Sequence, residues 1–338
     1  MLATLTLPAA GNFGEMPRTR KVQVRSADEL RRALREARDR PLALDASGLD
    51  CVLRADDERR LLEVQGGMTW TALAVCLGQA GERLTAWGAC PGLPATVGHA
   101  VSADAAGPDG APSSVCVESV TLVTVDGELR RVDRETPARL FQLVVGGQGV
   151  FGLIYSVTLR LDALRQAAER AVPAIELALP VPELGDGIAC EVQSLLPPEQ
   201  VEGFLAEMRT LAVERRLALR RVAVRRLQAG GESALGWAKR EWASVSLCLQ
   251  LRATLGASVH AAELRRLIHA AAIARGGSFP VSAAREVSRA QLDACYAELP
   301  AFLAEKRRYD PAERLQNAWY RGVTALLRHQ NCESRWGD

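Results

Sequence analysis

The chain switches repeatedly between hydrophobic periods of two and 3.6 residues, and those switches outline its elements. Val22-Gln-Val24 reads as a short strand. Ser26-Ala-Asp-Glu29 follows as a capping box, after which Leu30, Ala33, Leu34 and Ala37 share one helical face. Leu42-Ala-Leu44 and Leu61-Leu-Glu-Val-Gln65 read as strands, the second stopped by Gly66-Gly67. Trp70, Leu73, Ala74 and Leu77 form the next helical stripe, ended by Gly81, with Trp70 as core filler. Val120–Val125 and Leu129–Val132 flank Asp126-Gly127, a dipeptide suited to a type I′ hairpin turn. From Phe141 to Leu161 the pattern predicts a long β segment, with Leu153, Tyr155, Val157, Leu159 and Leu161 on one side.

Past residue 162 the texture changes. Pro173, Pro180 and Pro182 punctuate a linker expected over 162–188. Strand 189–195, helix 199–215, strand 219–228, strand 242–251 and helix 259–275 follow. Ser288-Arg-Ala-Gln291 is a second capping box and opens a helix expected to run to about Lys306. The arginine pairs at 220–221, 225–226 and 265–266 are read as solvated faces.

Composition narrows the class. Hydrophobic residues make up 48% and charged residues 24% of 338 positions, an ordinary globular balance. Lys and Arg number 42 against 40 Asp and Glu, so bulk charge gives no reason to expect nucleic acid or an anionic membrane surface as partner. No uncharged apolar run is long enough to span a bilayer, and the amino terminus lacks the basic start of a secretory signal, which points to the cytosol. The 8 cysteines lie far apart with no C-x-x-C pair, and only 4 histidines could assist them. Buried free thiols are expected, and no metal site.

Candidate chemistry lies in the glycine-bearing segments of the first half. Gly66-Gly67 before a helix can present bare amides to an anion, or simply make a tight turn. Gly92 and Gly98 frame Leu-Pro-Ala-Thr-Val, where missing side chains permit close approach. Gly146-Gly-Gln-Gly-Val-Phe-Gly152 is another bare stretch, but a strand follows it where a dinucleotide fingerprint demands a helix.

Taken in order, these segments resemble a family. Leu62-Glu-Val-Gln-Gly-Gly-Met-Thr-Trp70 is similar to the strand-turn-helix of the FAD-binding domain shared by vanillyl-alcohol oxidase and p-cresol methylhydroxylase (PCMH). Pro91-Gly-Leu-Pro-Ala-Thr-Val-Gly98 resembles its P-G-x-x-x-T-V-G-G loop, and Val117–Glu128 its "V-x-S-x-x-L-V-x-A-D-G-E" hairpin. Leu140–Ile154 resembles its "L-F-W-A-x-x-G-G-x-G-x-x-G-V-I" segment, and Lys306–Asn317 its carboxy-terminal "K-x-x-Y-D-P…N". The resemblance covers residues 11–161 and 189–320 and leans toward the decaprenylphosphoryl-ribose oxidase and alditol oxidase branch.

The resemblance implies an α+β fold: a PCMH-type FAD-binding domain of two α+β subdomains (1–161), a linker, a mixed-sheet cap (189–295) and a segment (296–338) returning to the first domain. It implies noncovalent FAD held by Gly66, Gly67, Thr96, Val97, Gly98, His99, Gly147, Gly149 and Gly152. The substrate would be a small alcohol or sugar-like molecule yielding hydride to flavin N5. Lys306, Tyr309 and Asn317 are the retained catalytic candidates. Lys306 would hold an oxyanion or the charge at flavin N1, or be a solvated helix lysine. Asn317 would meet the flavin edge, or a helix-end carbonyl.

The departures from the pattern are as informative. The family's R-G-x-G-x-S-x-G diphosphate loop is missing, because Pro41-Leu-Ala-Leu44 runs straight into Asp45-Ala-Ser-Gly-Leu-Asp50. Each charge-assisted hydrogen bond lost with it is worth roughly 1.5–3 kcal/mol. His99 replaces the second glycine of T-V-G-G, either pointing outward, filling the vacated space, or donating to phosphate. Asp104-Ala-Ala-Gly107 lacks the histidine that bonds flavin covalently in some members. Ala283 and Ala284 stand where related sequences carry groups able to assist O–H deprotonation. Two readings therefore stay open: an FAD-linked oxidoreductase, or a fold that has lost flavin and acts as a binding or partner subunit, with an intact flavoprotein homologue as the candidate partner, or through cofactor-independent activity.

Overall fold

The computed structural model describes residues 20–36, 42–90, 94–136, 138–178, 187–252, 254, 256–284 and 286–328. Pro91, Gly92 and Leu93 of the T-V-G loop motif lie outside the described residues, as do Ala37, Pro180, Pro182, Arg285, His329 and Cys332. The chain divides into two compact units. One comprises Met1–Ala171, Gly230–Gly236 and Glu298–Arg321; the other comprises Val172–Ala229, Trp237–Ala297 and Gly322–Asp338.

The first unit opens with β1 (Arg20–Gln23), α1 (Ala27–Glu36) and β2 (Leu42–Asp45), and the two strands pair in parallel with Val22 opposite Leu44. Parallel pairing requires a crossover, which α1 supplies. Its capping box reaches one residue further back than expected: Ser26 Oγ accepts from the Glu29 amide, while the Glu29 carboxylate accepts from the Arg25 amide at 2.8 Å. Leu30, Ala33 and Leu34 bury against Leu44, Leu49, Val123 and Leu315 in one core.

Next come β3 (Val52–Asp56), β4 (Leu61–Gln65), α2 (Trp70–Cys76), α3 (Thr85–Gly88) and α4 (Val97–Ala103). They are followed by β5 (Val117–Val123), β6 (Leu129–Asp133), α5 (Ala138–Val144), β7 (Leu153–Arg160) and α6 (Leu161–Glu169). The strands form an antiparallel sheet in the order β3-β4-β7-β5-β6. The sequence pattern missed β3, an exposed edge strand with no buried face to give it alternation.

Several local expectations need correction. Helix α2 stops at Cys76, and the chain turns at left-handed Gly78 (φ 54°) rather than at Gly81. The hairpin turn is not type I′, which needs positive φ at both central residues. Only Gly127 is left-handed (φ 85°), and the Gly127 amide donates to the Thr124 carbonyl, which makes Val125-Asp126-Gly127 a type I turn ending in a glycine bulge. Phe141 lies on a helix, and Leu161 begins α6 instead of ending β7, its amide donating to the Arg60 carbonyl. Trp70 is core filler, as its helical position suggests: it is buried, stacks on Trp87 at 4.6 Å and donates from its indole N–H to the Pro94 carbonyl.

The second unit is built on β8 (Ile175–Ala178), β9 (Gly187–Leu196), β10 (Ala218–Leu227) and β11 (Trp242–Arg252), ordered β8-β10-β11-β9. All its pairings are antiparallel, a simpler sheet than the mixed one the resemblance implies. Helix α6 and strand β8 occupy part of the stretch expected as a linker. Two long helices, α7 (Val201–Glu214) and α8 (Ala257–Ile273), cover one face, packing Phe204, Met208, Leu264 and Ile268 onto Val192, Val222, Val245 and Leu247.

Ser288 and Gln291 form the expected reciprocal cap at the start of α9 (Arg289–Cys295). That helix breaks at Tyr296 and resumes as α10 (Leu299–Tyr309), with Pro300 in its first turn, followed by α11 (Ala318–Arg328). No helix among the described residues is long and apolar enough to cross a membrane. Of the described cysteines, Cys90, Cys116 and Cys190 are buried, but Cys51 and Cys76 are exposed, against the expectation of uniformly buried thiols.

Candidate functional site

In the first unit, the end of β4, helix α4 and the Val145–Gly152 loop meet. Thr96 caps α4, its hydroxyl accepting from the His99 amide. The amides of Val97 and Gly98 donate to the carbonyls of Met68 and Gly66, both at 2.9 Å. The Gly66 amide itself donates to the Tyr155 carbonyl at 2.8 Å. On the far side, the amides of Gly146 and Gln148 donate to Val101 and Ser102, which fixes the loop against α4. The expected cofactor residues are thus brought into one neighbourhood.

Their glycines, however, face their own protein. A Cβ on Gly66 would lie 2.5 Å from the Ile154 carbonyl oxygen, and one on Gly98 would lie 2.7 Å from the Gly66 oxygen. At Gly67 it would meet the carbonyls of Ala46 and Leu49, at Gly147 that of Leu143, and at Gly152 the Leu122 side chain. Gly149 differs. It is left-handed (φ 72°) with open space around it. His99 lies on the first turn of α4 with an exposed surface, and the part of its ring that is buried pushes its pKa down.

The catalytic candidates are engaged elsewhere. Lys306 has no exposed surface and pairs with the buried Asp310 carboxylate, with its ammonium 5.1 Å from the Tyr320 ring centre. Burial pushes its pKa down, and Asp310 opposes that. Asn317 donates to the Gln148 carbonyl at 2.6 Å and accepts from the Tyr320 amide, so it pins the loop and caps a helix. Tyr309 packs edge-on to Phe151 at 5.8 Å with about a third of its surface exposed.

Two features escaped sequence reading. Asp104, left-handed at φ 45°, ends α4 and is 2% exposed. It accepts from the Ser114 amide at 3.0 Å, and burial raises its pKa to about 6. Beside it runs the strap Gly230–Gly236, held by an Arg134–Glu232 ion pair at 2.8 Å and by the Ala234 amide donating to Gln142. The Gly230-Gly231 dipeptide, left-handed at Gly231, was the available signal.

Among the described residues, the backbone amides of this region do not fit the diphosphate of FAD. Such a cradle needs several backbone amides free to converge on phosphate oxygens. Here β2 passes directly into the Ala46–Leu49 turn, and the amides of Gly66, Val97, Gly98, His99 and Gly147 already have partners within the protein. Among the described residues, the side-chain Nε2 of Gln148 is buried with no hydrogen-bond partner, on a residue strained to φ 55°.

Comparison with solved structures places this arrangement in a known architecture. A variant of the BBE-like 1 protein of Physcomitrella patens superposes with a TM-score of 0.58 at 12% identity, covering 88% of this chain and 89% of that one. The 6-hydroxy-D-nicotine oxidase of Arthrobacter nicotinovorans gives 0.52 at 15% identity over 89% and 92%. The fold is α+β and matches that of the PCMH-type FAD-binding oxidases. Neither a family model nor a curated protein matches the sequence.

Proposed function

We propose that this chain is a cofactor-independent binding protein built on the fold of the FAD-linked oxidases. One observation carries the reading: the amides that would grip a diphosphate are consumed by the chain's own carbonyls, with Gly98 on Gly66 and Gly66 on Tyr155. Freeing them would break the packing of α4 on β4. The sequestered Lys306 and the capping role of Asn317 also speak against a flavin-facing catalytic pair.

A second reading, an FAD-linked oxidoreductase acting on an alcohol or sugar-like substrate, draws support from Gln148. Its unpartnered amide and the open space at Gly149 are features a flavin edge would use. The two readings separate in one experiment. Protein purified under native conditions is expected to be colourless and to show no saturable binding when titrated with FAD by calorimetry. Stoichiometric uptake of FAD, weakened by Gln148→Ala, would establish the second reading and remove the first. Co-purification with an intact flavoprotein homologue would identify a partner-subunit role within the first.

A further inference from the structure

We propose that one end of the large sheet in the first unit binds a small oxyanion, a carboxylate or a phosphate, through Arg59, Arg60 and Arg160. The start of β4, the end of β7, the approach to β5 and the first turn of α6 line an open cleft of about 670 Å³ there. That volume suits a small-molecule site. None of the residues expected to hold FAD lines it, so the proposal stands whichever reading of the flavin question holds.

Three observations point to an anion. Arg60 is left-handed at φ 56°, a conformation costly for a long side chain. It is held there because its carbonyl accepts from the Leu161 amide at 2.9 Å and its guanidinium reaches Asp162 at 3.3 Å. Arg160 donates one terminal nitrogen to the Val115 carbonyl, while its Nε is buried with no hydrogen-bond partner. A buried guanidinium N–H without an acceptor is a defect that an oxyanion repairs. Arg59, on the turn beside them, is exposed and has no ion-pair partner among the described residues.

Two carboxylates limit the ligand. Asp162 and Glu118 also line the cleft, leaving three guanidinium groups against two acids. The surplus favours a single anionic group, and Glu118 suits a ligand that also offers a hydrogen-bond donor. A hydroxylated carboxylate or a phosphate monoester has that chemistry.

The test uses the full-length protein titrated by calorimetry with inorganic phosphate and, separately, citrate, against chloride at matched ionic strength. Saturable binding of either ion is expected, and which ion binds more tightly distinguishes phosphate from carboxylate ligands. Arg60→Gly removes the guanidinium while relieving the left-handed strain, so the variant should melt no lower than wild type yet lose about tenfold in affinity. Arg59→Ala, on an exposed turn, should weaken binding without affecting folding. The absence of saturable binding of both ions, or unchanged affinity in Arg60→Gly, would overturn the proposal.

Discussion

Gly98 and Gly66 form a backbone-to-backbone contact that locks α4 onto the end of β4. The Gly98 amide donates to the Gly66 carbonyl at 2.9 Å, and a Cβ on Gly98 would sit 2.7 Å from that same oxygen. Nothing flexible can yield, because both partners are main chain. Gly98→Ala must therefore lift the first turn of α4 off Gly66. Overpacking of this kind costs about 1–3 kcal/mol, read as a lower midpoint in urea denaturation. An unchanged midpoint would show that α4 is not seated as described.

That contact also explains what the sequence alone could reveal. The hairpin at Val120–Val132 was readable because alternation and an Asp-Gly dipeptide are local signals, though the turn type depended on which residue took positive φ. The glycines at 66, 67 and 98 were equally visible but ambiguous. Absent side chains permit the approach of a ligand or of the protein's own backbone, and the approaching groups (Ile154, Ala46, Gly66) are distant in sequence or hidden in a turn. Lys306 was harder still. A lysine near a helix end is normally solvated, and only the packing of Tyr320 and Asp310 around it makes it a core residue.

Asp104 gives the fold a pH dependence of definite sign. Its carboxyl titrates near 6 when folded against 3.8 unfolded, chiefly because burial penalises the charge. The native state therefore holds the proton more tightly, and the penalty is absent below about pH 4, grows as pH rises through 6, and levels off above it. Fully ionised, the group costs the native state up to about 3 kcal/mol. Asp104→Asn keeps an oxygen for the Ser114 amide and tolerates the left-handed backbone. The variant should be more stable than wild type at pH 8 and equal to it near pH 3.5, measured by denaturation at both pH values. A constant difference across that range would mean the carboxyl does not titrate as described.

The buried pair of Lys306 and Asp310 sets a structural expectation for a residue first suspected of catalysis. Lys306→Met leaves the Asp310 carboxylate buried without its cation, although the Arg314 and Leu315 amides still donate to it. Breaking a buried pair in this way costs about 3–5 kcal/mol, and the remaining donors place the loss at the lower end. Thermal melting should show it directly. A variant as stable as wild type would mean that Lys306 is hydrated and free to face a ligand.

Arg314 ties the carboxy-terminal segment of the first unit to elements 189 and 280 residues earlier in the chain. Its guanidinium donates to the Leu34 carbonyl at the end of α1 at 2.7 Å and to the Val125 carbonyl in the hairpin turn at 2.9 Å. Helix ends carry carbonyls with no partner inside the helix, and a cation there answers both the hydrogen bond and the dipole. Charge-assisted bonds of this kind contribute roughly 1.5–3 kcal/mol each; Arg314 is half-buried, so water offsets part of the loss and Arg314→Met should lower stability by about 2–4 kcal/mol. Hydrogen exchange locates the effect: amides in the last turn of α1 and in the 124–128 turn should lose protection, while those of β9 to β11 keep theirs. Uniform loss across both units would show that Arg314 supports the whole chain rather than this one junction.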